Sequence, residues 1–303
     1  MAAPFCIRFS GITVRFMPPD APMKLSAELE ALLCPDTQDA DTEYTIQLLH
    51  QPLELPPAPF YKNAGITVYQ TREGLLRIHP LRPGGDGSQV ACLLRPDQKN
   101  TLYYPAELWE HYATPLHCAH LLALEQVLLD RNAFLLHSSV VMLGGKAVLF
   151  CGPSGQGKSS QAELWKTHLG ADILNGDRCV VMERDGCFYG GGSPLAGSSR
   201  IYRREQAPIA AIFLPEKADE TAVQRLGLNA LAPLLGQTLL NSWDTDFMQR
   251  LTELLSSLLE QVPIYRLSCR PDREAVEAAY RTAFPTRTET VNSCLKDKLT
   301  TAD

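Results

Sequence analysis

The chain has 303 residues, of which 45% are hydrophobic and 20% are charged, a composition typical of an ordinary globular protein with one large or two modest domains. A net charge of −6 argues against nucleic acid as a main partner, because a phosphate backbone requires a basic surface. No apolar run reaches membrane-spanning length, and nine cysteines without a Cys-x-x-Cys pair indicate reduced thiols, so we expect a cytoplasmic protein with no membrane partner.

The first part of the chain, residues 1–105, predicts a β-rich N-terminal domain. Its candidate strands are short, carry Val, Ile, Tyr and Thr, and are separated by turn residues. These strands are residues 5–16, 44–49, 65–70, 75–80, 89–94 and 101–104. Residues 83–87, with three glycines, predict a turn, and the proline-dense residues 52–59 predict an extended connector.

Residues 106–131 predict a connecting helix, because apolar residues between Leu116 and Leu128 recur at helical spacing. His117 and His120 lie one turn apart on this helix, on either side of Cys118. No second pair of ligands accompanies them, so we do not expect a metal site there.

Residues 132–285 predict an α/β domain, since strands alternate with helices, and residues 286–303 predict a mobile polar tail. The predicted strands are residues 135–142, 147–151, 172–174, 179–183, 210–214 and 264–268. The predicted helices are residues 160–169, 228–240, 246–261 and 271–284. We expect Asp244 or Thr245 to cap the third helix and Pro271 to lie in the first turn of the fourth.

A full match to the phosphate-binding loop, or Walker A motif, stands at residues 152–159 between a predicted strand and a predicted helix. Its glycines allow successive N–H groups to point at phosphate oxygens, and the helix dipole attracts negative charge. In this motif Lys158 reaches the β- and γ-phosphates and the Ser159 hydroxyl binds Mg²⁺. A glycine-rich turn is the simpler alternative. The residues predicted to bind a nucleoside triphosphate are Gly152, Pro153, Ser154, Gly155, Gln156, Gly157, Lys158, Ser159 and Ser160.

Phosphoryl transfer also needs a carboxylate that holds the metal or orients the attacking hydroxyl. The apolar residues 211–214 are followed by Pro215 and Glu216 rather than by Asp, so they fit this role poorly. Asp177, after an apolar pair, is the better candidate for both metal ligand and base. The alternative is structural, because Asn175-Gly176 is a strong hairpin signal and Asp177 could simply flank that turn.

A second glycine-rich stretch, residues 190–200, is a candidate acceptor loop that offers the hydroxyls of Ser193, Ser198 and Ser199. Arg200 could pair with the γ-phosphate or with an acceptor carboxylate, because a guanidinium group binds either through two N–H groups. The alternative is a surface hairpin with solvated side chains.

Four segments occur in one order: His137-Ser138-Ser139 and residues 152–159, 175–178 and 192–197. This series resembles the HPr kinase/phosphorylase-like branch of P-loop proteins, which is related in fold to phosphoenolpyruvate (PEP) carboxykinase. The resemblance covers roughly residues 135–268. It implies an α/β P-loop core of the HPr kinase/PEP carboxykinase type, preceded by a β-rich N-terminal domain. The chain is similar to bacterial paralogues found near peptide-modification genes; it lacks the signature of true HPr kinases, so HPr is not the expected substrate.

The resemblance also implies roles for individual residues. Lys158 and Ser159 would bind phosphates and Mg²⁺, and His137 would face the transferred phosphate, although a histidine at a strand end can also be hydrogen-bonded only locally. Asp177 would match one aspartate of the Asp-Asp pair that follows the loop helix in the family. Gly176 stands where the first Asp is expected, so Asp177 would serve as both base and metal ligand unless another residue supplies one role.

The expected function is that of an ATP-dependent, Mg²⁺-assisted kinase, a phosphotransferase acting on a serine-like hydroxyl of a peptide, protein or small metabolite. Asp177, His137, Lys158 and Arg200 are its expected catalytic residues. The alternative is a nucleotide-binding accessory protein with little turnover that recruits a peptide or a modification enzyme. Carboxykinase-like chemistry on oxaloacetate fits less well, since it needs further metal ligands and a basic pocket. The resemblance is compatible with a homo-oligomer, although no coiled-coil pattern predicts one.

Overall fold

The computed structural model describes residues 3–23, 25, 27–37, 39–80, 89–109 and 122–285. The turn at 83–87, most of the connecting helix with its two histidines, and the tail at 286–303 therefore lie outside the described residues. In the part of the chain that is described, no helix combines the length and the apolar character needed to span a bilayer.

Nine strands of the first half form one sheet. They are β1 (Phe5–Phe9), β2 (Ile12–Met17), β3 (Leu33–Cys34), β4 (Thr42–Leu49), β5 (Tyr61–Lys62), β6 (Thr67–Gln70), β7 (Leu75–Pro80), β8 (Gln89–Leu94) and β9 (Lys99–Pro105). Their order across the sheet is β3-β1-β2-β4-β9-β8-β7-β6-β5. β4 pairs in parallel with β2 and β9, and the other neighbours are antiparallel.

The prediction of one strand over residues 5–16 is wrong, because the chain reverses at Ser10 and Gly11. Both residues have positive φ, +47° and +79°, which is the conformation of a two-residue hairpin whose twist matches the strands. Only one of the two is a glycine, so the turn carried a weak sequence signal. A short helix, α1 (Ala27–Leu32), follows β2 and was not predicted.

Eight strands of the second half form a second sheet. They are β10 (Ala133–Leu143), β11 (Lys146–Cys151), β12 (Asp172–Asn175), β13 (Arg178–Arg184), β14 (Cys187–Gly191), β15 (Gln206–Lys217), β16 (Ala222–Arg225) and β17 (Ile264–Cys269). The order is β11-β10-β13-β14-β15-β17-β16, with β12 beside β10. β11 also pairs in parallel with β15, so five strands close into a ring. The long strand β10 pairs with β13 near its start and with β11 near its end. The long strand β15 pairs with β14 near its start and with β11 further along. Strands β14 and β16 were not predicted.

The helices after α1 are α2 (Leu124–Leu129), α3 (Lys158–Leu169), α4 (Leu231–Leu235), α5 (Thr245–Gln261) and α6 (Arg273–Ala283). The prediction of one helix over residues 228–240 is wrong. A 3-10 turn, Gly227–Ala230, precedes α4, and the helix ends before Gly236. Thr238 then forms a β-bridge with Leu136, so its backbone groups bond to a strand and cannot continue a helix.

Two helix caps test the predicted helix starts. The Asp244 side chain accepts a hydrogen bond from the Phe247 N–H and caps α5, as expected for one of the two candidates. Pro271 does not lie in the first turn of α6, because Asp272 is the cap and the helix begins one residue later. The carboxylate satisfies the Ala275 N–H, which Pro271 cannot do.

The hydrophobic core joins the two halves of the chain. Leu135, Val180 and Met182 of the second half pack in one buried cluster with Phe9 and Phe16 of the first. Helices α3 and α6 pack together on one face of the second sheet. Helix α5 packs on the opposite face, in a separate cluster. The ends of β10, β11 and β15 are therefore held by packing on both faces of the sheet.

Candidate functional site

The phosphate-binding loop connects β11 to α3 and lies at the edge where β11 ends. Gly155 and Gly157 have φ values of +82° and +91°, a left-handed conformation that glycine adopts without strain. The helix begins at Lys158, and the Gln161 N–H donates to the Gly157 carbonyl at 2.9 Å. The strand, loop and helix therefore follow in the predicted order, with the positive end of the α3 dipole at the loop.

Lys158 folds back over the loop. Its Nζ donates to the Pro153 carbonyl oxygen at 3.0 Å, and the residue is only 6% exposed. Ser159 and Ser160, the next two residues of α3, are exposed. Burial lowers the pKa of the Lys158 amine, while the nearby Asp177 carboxylate opposes this effect.

His137 and Asp177 form the wall opposite the loop. His137 lies on β10, and its Nε2 is 3.3 Å from Oδ1 of Asp177, which follows β12. Two backbone bonds fix this arrangement: the Ser138 N–H donates to the Asp177 carbonyl at 2.9 Å, and the Gly152 N–H reaches the His137 carbonyl at 3.5 Å. The structure thus brings His137, Asp177 and the phosphate-binding loop together.

Asn175 positions Asp177 through its buried side chain. The Asn175 Oδ1 accepts from the N–H groups of Asp177 and Arg178 at 2.8 and 2.9 Å, and its amide nitrogen donates to the Ser193 carbonyl at 3.3 Å. The hairpin alternative for Asn175-Gly176 is wrong: within the described residues β12 and β13 do not pair with each other, and both pair with β10. The turn instead presents Asp177 at the strand end.

Position 176, where the resemblance places the first aspartate of a pair, has no room for a side chain. A Cβ atom on Gly176 would lie 2.5 Å from the Cβ of Ser199. A Cβ atom on Gly197 would lie 2.8 Å from the carboxyl carbon of Asp177. The turn Gly197–Ser199 therefore packs directly against Asp177, and it fills the space that a second carboxylate would need.

An open cleft of about 400 Å³ lies between the loop, the His137–Asp177 wall and the ends of β15 and β17. Glu216, which sequence reasoning set aside, lines this cleft. It reaches the loop because β15 pairs in parallel with β11, so the two strands end at the same edge. Its carboxylate accepts from the Ser268 hydroxyl and lies 3.5 Å from Arg266 Nε. The strand order that places it there cannot be read from the local sequence.

Gln237 is a second residue that sequence reasoning missed. Its Oε1 is 3.2 Å from His137 Nδ1, and its backbone carbonyl accepts from the His137 N–H at 2.8 Å. The prediction placed this residue inside a helix, where it carried no signal of contact with β10. The Gln237 and Asp177 oxygens thus face the two ring nitrogens of His137 from opposite sides, and a neutral ring, with one N–H, donates to one of them.

The second glycine-rich stretch contributes less to the cleft than expected. Ser198 lines the cleft, whereas the Ser193 hydroxyl is buried and donates to the Arg178 carbonyl. The Ser199 hydroxyl donates to the Ala196 carbonyl at 2.6 Å. Arg200 is exposed, with φ +50°, and is not among the described residues that line the cleft.

Burial controls the charge of the histidine. It lowers the pKa of His137 below the ordinary value, and the positive charge of Lys158 lowers it further, whereas Asp177 raises it. The net direction is down, so the imidazole is neutral at neutral pH. A neutral ring that carries its proton on Nε2 can donate a hydrogen bond to the Asp177 carboxylate.

Cys269 lines the cleft, and two further thiols lie near it. Cys151 precedes the loop, and Cys179 contacts the Ser138 hydroxyl at 2.8 Å. Burial raises the pKa of all three thiols, that of Cys179 to about 12. The protonated thiol is a poor nucleophile, so the polar chemistry of the cleft belongs to other groups.

Comparison with known proteins adds only a distant relationship. No protein-family model matches the chain, and no curated protein matches it. Among solved structures, the chain is similar to the Hpr(Ser) kinase/phosphatase from Coxiella burnetii at 11% sequence identity and a TM-score of 0.31. The match covers 54% of this chain and 94% of that protein.

Proposed function

We propose that the chain is an ATP-dependent, Mg²⁺-assisted kinase that phosphorylates a hydroxyl group. The observation that carries this proposal is one cleft with two complementary walls. On one wall stand the N–H groups of the loop and Lys158, which bind phosphate oxygens. On the other stands Asp177, held by His137 at 3.3 Å, in a position to meet an acceptor hydroxyl.

The cleft fits a nucleoside triphosphate. Its volume of about 400 Å³ falls within the roughly 300–1,000 Å³ of small-molecule sites. The left-handed Gly155 and Gly157 turn the loop so that its amides can line a cradle at the start of α3. Lys158 now donates to a loop carbonyl, and a phosphate oxygen would be a stronger acceptor for the same amine.

The residues present also fit a magnesium ion. Mg²⁺ takes one or two protein oxygens and completes its shell with water and phosphate oxygens. Ser159 is exposed at the start of α3, and Asp177 lines the same cleft, so these two side chains would hold the ion. When bound there, Mg²⁺ would neutralise charge on the phosphates.

The remaining chemistry belongs to the His137–Asp177 wall. Asp177 accepts the hydrogen bond of the acceptor hydroxyl and orients its oxygen toward the γ-phosphate. With its proton on Nε2, His137 donates to Asp177 and keeps the carboxylate pointed into the cleft, while the backbone carbonyl of Gln237 holds the His137 backbone N–H in place. The position of Arg200 gives it no part in this arrangement, and we leave it out of the proposed set.

The test is phosphoryl transfer from γ-labelled ATP to proteins, peptides and metabolites of a cell extract. Asp177→Asn should lower the rate at least 100-fold, because it removes both the group that orients the acceptor hydroxyl and one of the two side chains proposed to hold Mg²⁺. Asp172→Asn, an exposed residue at the start of β12, is the matched control and should retain full activity. Label that stays out of every acceptor, or an unchanged rate in Asp177→Asn, would refute the kinase.

One observation favours a second candidate, a nucleotide-binding accessory protein with little turnover. Ser199 fills the place of the second carboxylate, so Asp177 is the single carboxylate at that turn. This candidate predicts ATP binding without product over many hours. It also predicts partner binding that Asp177→Asn leaves unchanged, whereas the kinase predicts that the same variant loses product formation.

A further inference from the structure

A second cavity includes Leu135, two residues before His137 on β10, in its lining. It has a volume of about 250 Å³ and is formed by the β5–β6 hairpin, β7, α2, β10 and the segment 239–243. We call it the hairpin cavity. Its apolar lining includes Leu124, Leu135, Leu195 and Leu239, and Tyr61 and Trp243 contribute aromatic rings.

Two neighbouring segments connect this cavity to the proposed transfer site. His137 and Leu135 are two residues apart on β10, so their side chains lie on the same face, about 7 Å apart along the strand. The segment with Gln237 and Leu239 runs antiparallel beside β10 through the bridge between Leu136 and Thr238. On β10, Leu135 lines the hairpin cavity and His137 belongs to the transfer site. On the neighbouring segment, Leu239 lines the cavity and Gln237 contacts His137.

A third segment makes the same connection. Leu195 lines the cavity, and its carbonyl accepts from the N–H of Arg178 at 3.2 Å, the residue next to Asp177. Three independent segments therefore place the cavity and the transfer site side by side. A molecule whose hydroxyl reaches Asp177 would extend over this surface.

The rim of the cavity is unusually apolar for an exposed surface. Phe60 is 63% exposed and Leu240 is 42% exposed, and both lie beside Trp243 or within the lining. The Trp243 ring is 6.1 Å from that of Tyr61 and 6.2 Å from that of Phe60, so the three rings already pack against one another and form one aromatic cluster at the rim. Exposed aromatic and leucine side chains around a cavity mark a binding site.

One buried polar group in the cavity wall also lacks a partner. Arg77 is 4% exposed, and its Nη1 donates to Glu125 Oε1 at 2.6 Å. Its Nε–H has no hydrogen-bond acceptor among the described residues. This nitrogen has almost no exposed surface, so a peptide carbonyl would reach it only if the cavity wall moved.

We propose that the hairpin cavity binds an aromatic side chain of a peptide whose hydroxyl-bearing residue is the phosphoryl acceptor. This inference rests on the proposed kinase function and names its substrate class. A volume of about 250 Å³ is small for a whole metabolite but suits one large side chain. At about 3.3 Å per residue, the spacing along β10 places that side chain two to four residues from the acceptor in an extended peptide.

The binding arm of the test needs no catalysis. Fluorescein-labelled nonapeptide pools with a central serine carry either Trp or Ala at positions two to four residues from it, and anisotropy gives their Kd without nucleotide. We expect the Trp pools to bind at least tenfold tighter. Leu240→Ser should remove this preference, whereas Leu228→Ser, an exposed leucine outside the cavity, should keep it. Equal binding of the Trp and Ala pools would overturn the proposal.

The transfer arm separates this proposal from the kinase itself. With γ-labelled ATP, the Trp pools should be labelled, and Trp243→Ala should raise the peptide KM at least tenfold with the KM for ATP unchanged. Labelling of all pools at one rate, with Trp243→Ala equal to wild type, would overturn the cavity and leave the kinase standing. Selective Trp-pool binding with no labelling would support the cavity as a peptide site and count against the kinase.

Discussion

At the scale of single residues, the close packing of Gly176 against Ser199 decides how many carboxylates the turn at residues 175–177 can hold. The two residues are 23 positions apart, and the contact exists because the turn Gly197–Ser199 folds over Asp177. The sequence explains Gly176 as part of a turn, whereas the structure shows that Ser199 leaves no room for a side chain there. The site is built for one carboxylate at this turn.

Gly176→Ala should destabilise the protein by about 1–3 kcal/mol, because the new methyl group overpacks against Ser199. The double variant Gly176→Ala/Ser199→Gly should recover most of that loss, since it removes the atoms in conflict. Urea unfolding of the two single variants and the double variant measures the coupling energy. Additive effects would show that the two positions do not compete for space.

The lowered pKa of His137 predicts a pH dependence of stability. Because the folded-state pKa lies below the unfolded value of about 6.5, the unfolded chain binds more protons in the window between the two values. The free energy of unfolding should therefore fall as the pH is lowered from 7 toward 5. His137→Gln should flatten this dependence relative to wild type, measured by chemical denaturation at each pH. An unchanged slope in the variant would contradict the assignment.

At the scale of elements, the end of α4 and the start of α5 determine where Gln237 and Trp243 lie. The segment between α4 and α5 carries both residues, and its far end is held by the Asp244 cap. A helix continuing from α4 through residue 240 would have removed Gln237 from His137. The helix end before Gly236 is thus a condition for the site.

Asp244→Ala should cost about 1 kcal/mol, since the Phe247 N–H loses its side-chain acceptor at 3.0 Å. Asp246→Ala, in the first turn of the same helix, is the control and should cost less, because Asp246 acts only through the helix dipole. Thermal and urea unfolding give both values. Equal losses in the two variants would indicate a general charge effect rather than a cap.

At the scale of the whole molecule, the buried pair of Arg77 and Glu125 ties the first sheet to helix α2. Its side chains are 5% and 9% exposed, in contrast to the exposed pair of Arg273 and Glu277 on α6. A buried charge that loses its partner is costly, whereas an exposed ion pair contributes little. The junction between the halves of the chain therefore depends on a polar contact as well as on the shared core.

Glu125→Gln should destabilise the protein by about 3–5 kcal/mol, because it leaves the buried guanidinium without a counter-charge. Glu277→Gln, at the exposed pair, should have no measurable effect on unfolding. The double variant Arg77→Leu/Glu125→Leu should recover most of the loss, because it removes both buried charges. A loss in the double variant as large as in Glu125→Gln would show that packing, not charge, dominates at this position.

The sequence by itself predicted the strand, glycine-rich loop and helix around residues 152–159, the strands at 75–80 and 89–94, and a helix cap at Asp244 or Thr245, of which the structure shows Asp244. Each of these depends on residues within one or two turns of chain, so local pattern suffices. It also identified His137 and Asp177 as candidates, although their roles remain predictions.

Only the tertiary structure decided which of these candidates meet. The contact of Gln237 with His137, the place of Glu216 beside the loop and the closure of Gly176 by Ser199 all join residues that are distant in sequence. They follow from the strand order and from where a helix stops, and both are set by long-range pairing and burial rather than by local preference.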